Sequence, residues 1–223
     1  SQTVPASAGV ATFSGLWTNS DVGSSTIVFS APGLRSTQQA VETQTRPDTV
    51  SIVTTSASGQ STAGVWLQGN WFADGAAMAS VLQLSDIQAQ FDQGRSVNIT
   101  TKAGNITLSN PLIQASNSAG GSLTLSARNQ LVIEADVRLE KAGNDLRLIA
   151  GQDVWIRAGV ANARRLVSTN GGDLVVWSNS INSGSGAIRI DDFVDIASGS
   201  GRVANSGATG GGDIYLAGGN ADS

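Results

Sequence analysis

The chain has 223 residues, only 13% of them charged, a net charge of −4, and neither cysteine nor histidine. That length permits a sizeable core. The composition removes disulfides, thiolate metal sites, histidine-ligated zinc and every Ser-His-Asp or Cys-His nucleophile. It also supplies no basic stripe for nucleic acid, and no apolar run is long enough to span a membrane.

The first 46 residues read differently from the rest. VATFSGLW (residues 10–17) and TIVFSA (residues 26–31) are alternating strands, with a polar turn over residues 19–25 and Pro32-Gly33 closing the second. A third strand is expected over residues 39–43. These residues resemble the C-terminal half of the immunoglobulin-like repeats of bacterial surface proteins, in which a TFSGL strand precedes a TxxFSAPGL strand. Half a sandwich cannot bury its own face, so this segment is expected to act as a cap or to be completed by strands from elsewhere. Arg46-Pro47-Asp48 marks the boundary, giving an immunoglobulin-like or capping β segment (1–46) and a second domain (47–223).

The second domain opens with a strand over residues 49–54, a polar loop over 56–62 and a tryptophan-rich strand pair over 64–72. We read these as the opening coil, or the cap, of a solenoid. A short helix is expected over residues 85–93. Ser85 would be its N-cap, Gln88 would close a capping box, and Gly94 would stop it. Ile87 and Phe91 share one face and should pack on the edge of the coil.

From residue 104 onward one phrase recurs: a small or turn residue, a polar position, then two aliphatics separated by one outward residue. It reads GNITL (104–108), GSLTL (121–125), NDLRL (144–148), GDLVV (172–176), GAIRI (186–190) and GDIYL (212–216). A second phrase follows, SARNQLVIEA (126–135) aligning with IAGQDVWIRA (149–158), with weaker copies over residues 111–115 and 192–197. The first aliphatics fall at 106, 123, 146, 174, 188 and 214, so the steps are 17, 23, 28, 14 and 26 residues. They centre on the length of one solenoid coil, and repetition on that scale predicts stacked units whose equivalent strands pair in parallel. The fold class expected is all-β: a right-handed parallel β-helix with one short helix. Outward Thr107, Thr124, Arg147, Val175, Arg189 and Tyr215 are expected in one ladder.

LQLSDIQAQFDQGRSVNITTKAGNITLSNPLIQA (82–115), GGSLTLSARNQLVIEADV and NDLRLIAGQDVWIRAG resemble the filamentous-haemagglutinin-like exoproteins of bacterial two-partner secretion. In those proteins an IQAAL-x-x-G helix leads into VTITT-x-x-GNITV-x-x-PI. The resemblance covers residues 82–218, while the family's N-terminal secretion domain with Asn-Pro-Asn-type motifs is not among these residues. It implies a secreted or cell-surface fibre of a bacterium, an adhesin or surface filament. The expected partners are other copies of the chain or adjoining segments of a longer one, and a host or matrix glycan.

Four tryptophans are the candidate interaction surface: Trp66, Trp71, Trp155 and Trp177. Alternation turns Val154 and Ile156 inward and Trp155 outward, and likewise Trp177 beside Leu174 and Val176. Exposed tryptophans suit a sugar platform or a protein contact; cover by the loop over residues 160–167 is the competing reading. Asp191, Asp192 and Asp195, beside Arg189, are the densest acidic group and the one enzyme candidate, for carboxylate chemistry of the β-helix pectinase kind. That family also carries a Gly-His-Gly motif, which this sequence lacks, and the two adjacent aspartates suit a solvated turn. Gly210-Gly211-Gly212-Asp213 faintly matches calcium-binding repeats but lacks their nine-residue period. Arg164 and Arg165 read as a solvated pair on the same loop. The sequence therefore implies no enzyme, no catalytic set, no cofactor and no metal.

Overall fold

In the computed structural model the alternating segments from residue 97 onward form strands that stack in parallel into sheets. The structure describes residues 23–29 and 37–43 (backbone), 46–54, 60–73, 79–159, 163–182, 184–199 and 211–219. The chain divides into two units, Ser1–Gln44 and Thr45–Ser223.

In the first unit β1 (Gly23–Phe29) pairs antiparallel with β2 (Thr37–Thr43), Ile27 lying opposite Gln39. The strand expected over residues 10–17 lies outside the described residues.

The second unit is built of three sheets. The first holds β7 (Val97–Thr100), β10 (Leu123–Ala127), β13 (Leu146–Ala150), β16 (Leu174–Ser178) and β19 (Ile214–Gly218) in parallel. The second holds β8 (Ile106–Leu108), β11 (Leu131–Ile133), β14 (Val154–Ile156) and β17 (Ile188–Ile190). The third holds β9 (Leu112–Gln114), β12 (Val137–Ala142), β15 (Arg165–Asn170) and β18 (Val194–Ala197). From β7 to β19 the chain visits first, second and third sheet in strict rotation. Each circuit adds one strand to every sheet.

Inward positions stack in rows. Val97, Leu123, Leu146 and Leu174 are in register along the first sheet, as are Ile106, Leu131 and Val154 along the second. All of these side chains are fully buried, and they form one apolar cluster with Leu112, Val137 and Val167 of the third sheet. Each buried aliphatic of this size contributes roughly 1.5–3 kcal/mol. The third sheet also buries Gln114, whose Nε2 donates to Gly121 O at 2.7 Å while its Oε1 accepts from Asn144 Nδ2 at 2.9 Å. A buried amide is tolerated there because both ends are paired.

Three sheets explain the irregular repeat. The phrases at 104–108 and 186–190 form β8 and β17 of the second sheet, whereas those at 121–125, 144–148, 172–176 and 212–216 form strands of the first. The single outward ladder expected from sequence is therefore two. Thr124, Arg147, Val175 and Tyr215 align on the first sheet, and Thr107 and Arg189 belong to the second. The segments 111–115 and 192–197 are third-sheet strands rather than copies of the second-sheet phrase.

One end of the stack is closed. Next to β7 on the first sheet lies a hairpin of β4 (Gly64–Leu67) and β5 (Asn70–Ala73), and beyond β8 on the second sheet lie β3 (Thr49–Val53) and β6 (Ala79–Gln83). Helix α1 (Leu84–Asp92) packs its buried Ile87, Gln90 and Phe91 against the core. The capping box expected from Ser85 and Gln88 is not formed. The helix begins one residue earlier, with Gln83 at the cap and no side-chain cap hydrogen bond, and Gln88 Nε2 donates to Asp92 Oδ1 at 2.8 Å instead. Gly94, at φ +71°, supplies the left-handed turn after the helix.

The opposite end is open among the described residues. Ile190 of β17 is 41% exposed, and Ile214 and Leu216 of β19 are 44% and 55% exposed, although they are in register with fully buried Leu174 and Val176.

Candidate functional site

The four tryptophans do not form one surface. Trp155 is on β14 of the second sheet and Trp177 on β16 of the first, both at outward positions of strands whose neighbours are buried. Trp66 and Trp71 face each other across the β4–β5 hairpin.

Trp155 is half-buried among polar groups, and residues 160–162 of the loop expected to cover it lie outside the described residues. The Trp155 Nε1 donates to Asp191 Oδ1 at 2.9 Å, and the guanidinium groups of Arg157 and Arg189 lie 4.2 and 5.3 Å from its ring centroid. Such cation–π contacts follow from strand register, since Arg189 is the partner of Trp155 across the β14–β17 ladder. Arg157 also bonds Glu134 at 2.5 Å. The Asp191 carboxyl is held below the ordinary aspartate range, first by the Trp155 indole N–H and then by the Ala158 backbone N–H at 3.1 Å.

This geometry separates the acidic group found in the sequence. Asp191 secures the outward face of β14, Asp192 is exposed, and Asp195 meets Arg164 at 3.5 Å on an exposed edge. Among the described residues no three acidic side chains gather as a metal site. Asp213, in the faint calcium match, accepts from the Tyr215 hydroxyl at 2.8 Å, and its own backbone N–H donates to Asp173.

The arginine pair is also divided. Residues 165–167 are strand rather than loop, and Arg165 is 8% exposed at the start of β15. Its Nη2 donates to Ala158 O at 3.1 Å, while Nε has no hydrogen-bond partner among the described residues. Burial lowers its pKa, opposed by the charges of Asp136 and Glu134. Arg164 is the solvated member.

Trp177 donates from Nε1 to Gly219 O at 2.8 Å, so the indole ties β16 to the end of β19.

Trp66 and Trp71 make a different arrangement. Their rings meet edge to face, with centroids 5.3 Å apart and planes at 66°. Trp71 is 3% exposed and Trp66 is half-buried against the core. Gly64 lies so close beneath Trp71 that a β-carbon there would overlap the ring. Both indole Nε1 atoms are buried and have no hydrogen-bond partner among the described residues. The pair lines a cleft of about 490 Å³ between the hairpin and the first turn of α1, with Ser61, Gln83, Ser85 and Asp86 on its other side. Ser61 ties that side together: its hydroxyl donates to Asp86 Oδ2 at 2.5 Å and accepts the Gln83 backbone N–H at 2.9 Å. The strand pair expected over residues 64–72 is this hairpin, but its alternation does not show which residues face Trp66 and Trp71. The site depends on the Gln68-Gly69 turn folding one tryptophan onto the other, and Gln68 and Gly69 both have positive φ.

No family model matches the chain, and comparison with curated proteins and with solved structures likewise gave no match.

Proposed function

We propose that the chain is a structural segment of a secreted bacterial adhesin or surface filament, a stiff right-handed parallel β-helix of the filamentous-haemagglutinin-like kind. It acts mechanically: parallel ladders run along the axis, aliphatic rows fill the interior, and each circuit advances the rod by about 4.8 Å. The partners are other copies of the chain or adjoining segments of a longer one, and the reading includes no catalysis.

The observation that carries this reading is the contrast between the two ends. Helix α1 and the β4–β5 hairpin cover one, whereas β19 keeps the register of the rows beneath it and leaves Ile214 and Leu216 exposed. One more circuit, from the same or another molecule, would bury those side chains and pair the open strand edge, which otherwise recruits other strands. The immunoglobulin-like reading of the first unit belongs to the same proposal, as a module preceding the rod.

Electron microscopy of the native material, with the mass of the denatured chain, tests it. Rods or filaments containing this sequence are expected. Discrete globular particles whose β19 is already covered within one molecule would overturn it.

A further inference from the structure

We propose that the cleft between the β4–β5 hairpin and α1 binds a neutral saccharide. This site lies at the covered end of the stack, away from β19, and does not depend on assembly.

Three features carry the inference. First, the hairpin and α1 border an open hollow of about 490 Å³, large enough for a sugar ring. Second, its walls differ in chemistry. Two indoles in edge-to-face contact form one, and hydroxyl, amide and carboxylate side chains (Ser61, Ser85, Gln83 and Asp86) form the other. A pyranose ring matches that division, because its C–H face packs on an aromatic wall while its hydroxyls donate to carboxylate and exchange hydrogen bonds with serine. Third, both indole N–H groups are buried without an acceptor among the described residues. A buried donor left unpaired is costly, and ligand hydroxyl oxygens can supply an acceptor. Trp66 is the half-buried member of the pair.

Charge sets the class. Among the described residues, Asp86 is the one ionisable side chain lining the cleft, with no lysine or arginine in the lining. A uronate, sulfate or phosphate would meet an anion and no counter-charge, so acidic polysaccharides are selected against. The Ser61–Asp86 and Ser61–Gln83 bonds fix the polar wall before ligand arrives, limiting the ordering needed on binding.

The test is calorimetric titration of the intact chain with maltohexaose, cellohexaose and chitohexaose, and with polygalacturonate as the acidic control. Saturable binding of at least one neutral oligosaccharide is expected, and none of polygalacturonate. Trp66→Ala and Asp86→Asn should each weaken it at least tenfold, with Trp155→Ala within twofold of the parent. Ser85→Trp places bulk at an exposed position on the cleft wall and should abolish binding with the circular dichroism spectrum unchanged, covering the case in which Trp66→Ala does not fold. No binding to any of the three neutral sugars, unaltered binding in Ser85→Trp, or equal loss in Trp155→Ala would overturn the proposal.

Discussion

The backbone N–H of Asp173 donates to Oδ1 of Asp145 at 3.0 Å, and these two aspartates, 28 residues apart, open the same sheet in adjacent circuits. The relation is repeated along that corner. Asp213 N–H donates to Asp173 Oδ1 over 40 residues, and Asp145 N–H to Ser122 Oγ over 23. Circuits of unequal length therefore re-enter the first sheet at one clamp, which fixes register while the intervening segments vary. A second clamp precedes the second sheet, where Asn105 Oδ1 accepts the Gln130 N–H and Asp153 Oδ1 accepts the Ala187 N–H. The acidic turns are thus register devices. Asp145→Ala should cost about 1–2 kcal/mol in urea unfolding, and Asp145→Asn, which keeps a carbonyl acceptor, markedly less. Equal stability of the alanine variant and the parent would mean that the clamp contributes nothing.

Core rows predict a gradient along the rod. Leu148 is fully buried mid-stack, and Leu216, two circuits on in the same row, is mostly exposed. Leu148→Ala is expected to lose about 2–5 kcal/mol. Leu216→Ala in the isolated chain should fall within about 0.5 kcal/mol of the parent. Comparable losses at both positions would show that the β19 end is covered.

Close backbone approach at the clamp makes one glycine sensitive. A β-carbon on Gly172 would run into the carbonyl oxygen and carbon of Asn144, which are main chain and cannot swing aside. Gly172→Ala should destabilise by about 1–3 kcal/mol through displaced backbone. Gly143→Ala is the informative comparison, since nothing lies within 4 Å of its added β-carbon but its φ of +76° adds strain alone. If the two variants unfold together, steric approach is not what selects glycine at 172.

Acid should release the Trp155 face. Asp191 titrates below its ordinary value because Trp155 and the Ala158 N–H bond its charged form. A depressed carboxylate stabilises the fold above its unfolded-state pKa, and that contribution disappears as pH falls through the lower folded-state value. The Trp155 component of the fluorescence, taken as the parent minus Trp155→Phe, should shift only below the ordinary aspartate range. Asp191→Asn should abolish that shift. A midpoint at or above the ordinary range would contradict the assigned hydrogen bonds.

How far the sequence predicts this arrangement varies by element. Strand alternation, the 23-residue alignment of 126–135 with 149–158 and the buried face of Ile87 and Phe91 were all legible, because each is local and periodic; the alignment is the β11–β14 pairing. The third sheet was legible only in part: residues 111–115 and 192–197 read as strands, but as copies of the second-sheet phrase. Some of its inward positions are polar, Gln114 and Thr169 among them, and a bulge interrupts β12 after Leu139, so its hydrophobic period is broken. The Trp66–Trp71 cleft was half legible. The aromatic residues are plain in the sequence, but Ser61 and Asp86, which complete the cleft, are brought in by tertiary packing alone.

Hydrogen exchange at β19, measured on the isolated chain and on native material, tests most directly the claim that the rod is continued at this end. The account predicts fast exchange of its outward-edge amides in the isolated chain, against slow exchange throughout β13, and protection of both in native material. Protection of β19 equal to that of β13 in the isolated chain would contradict it.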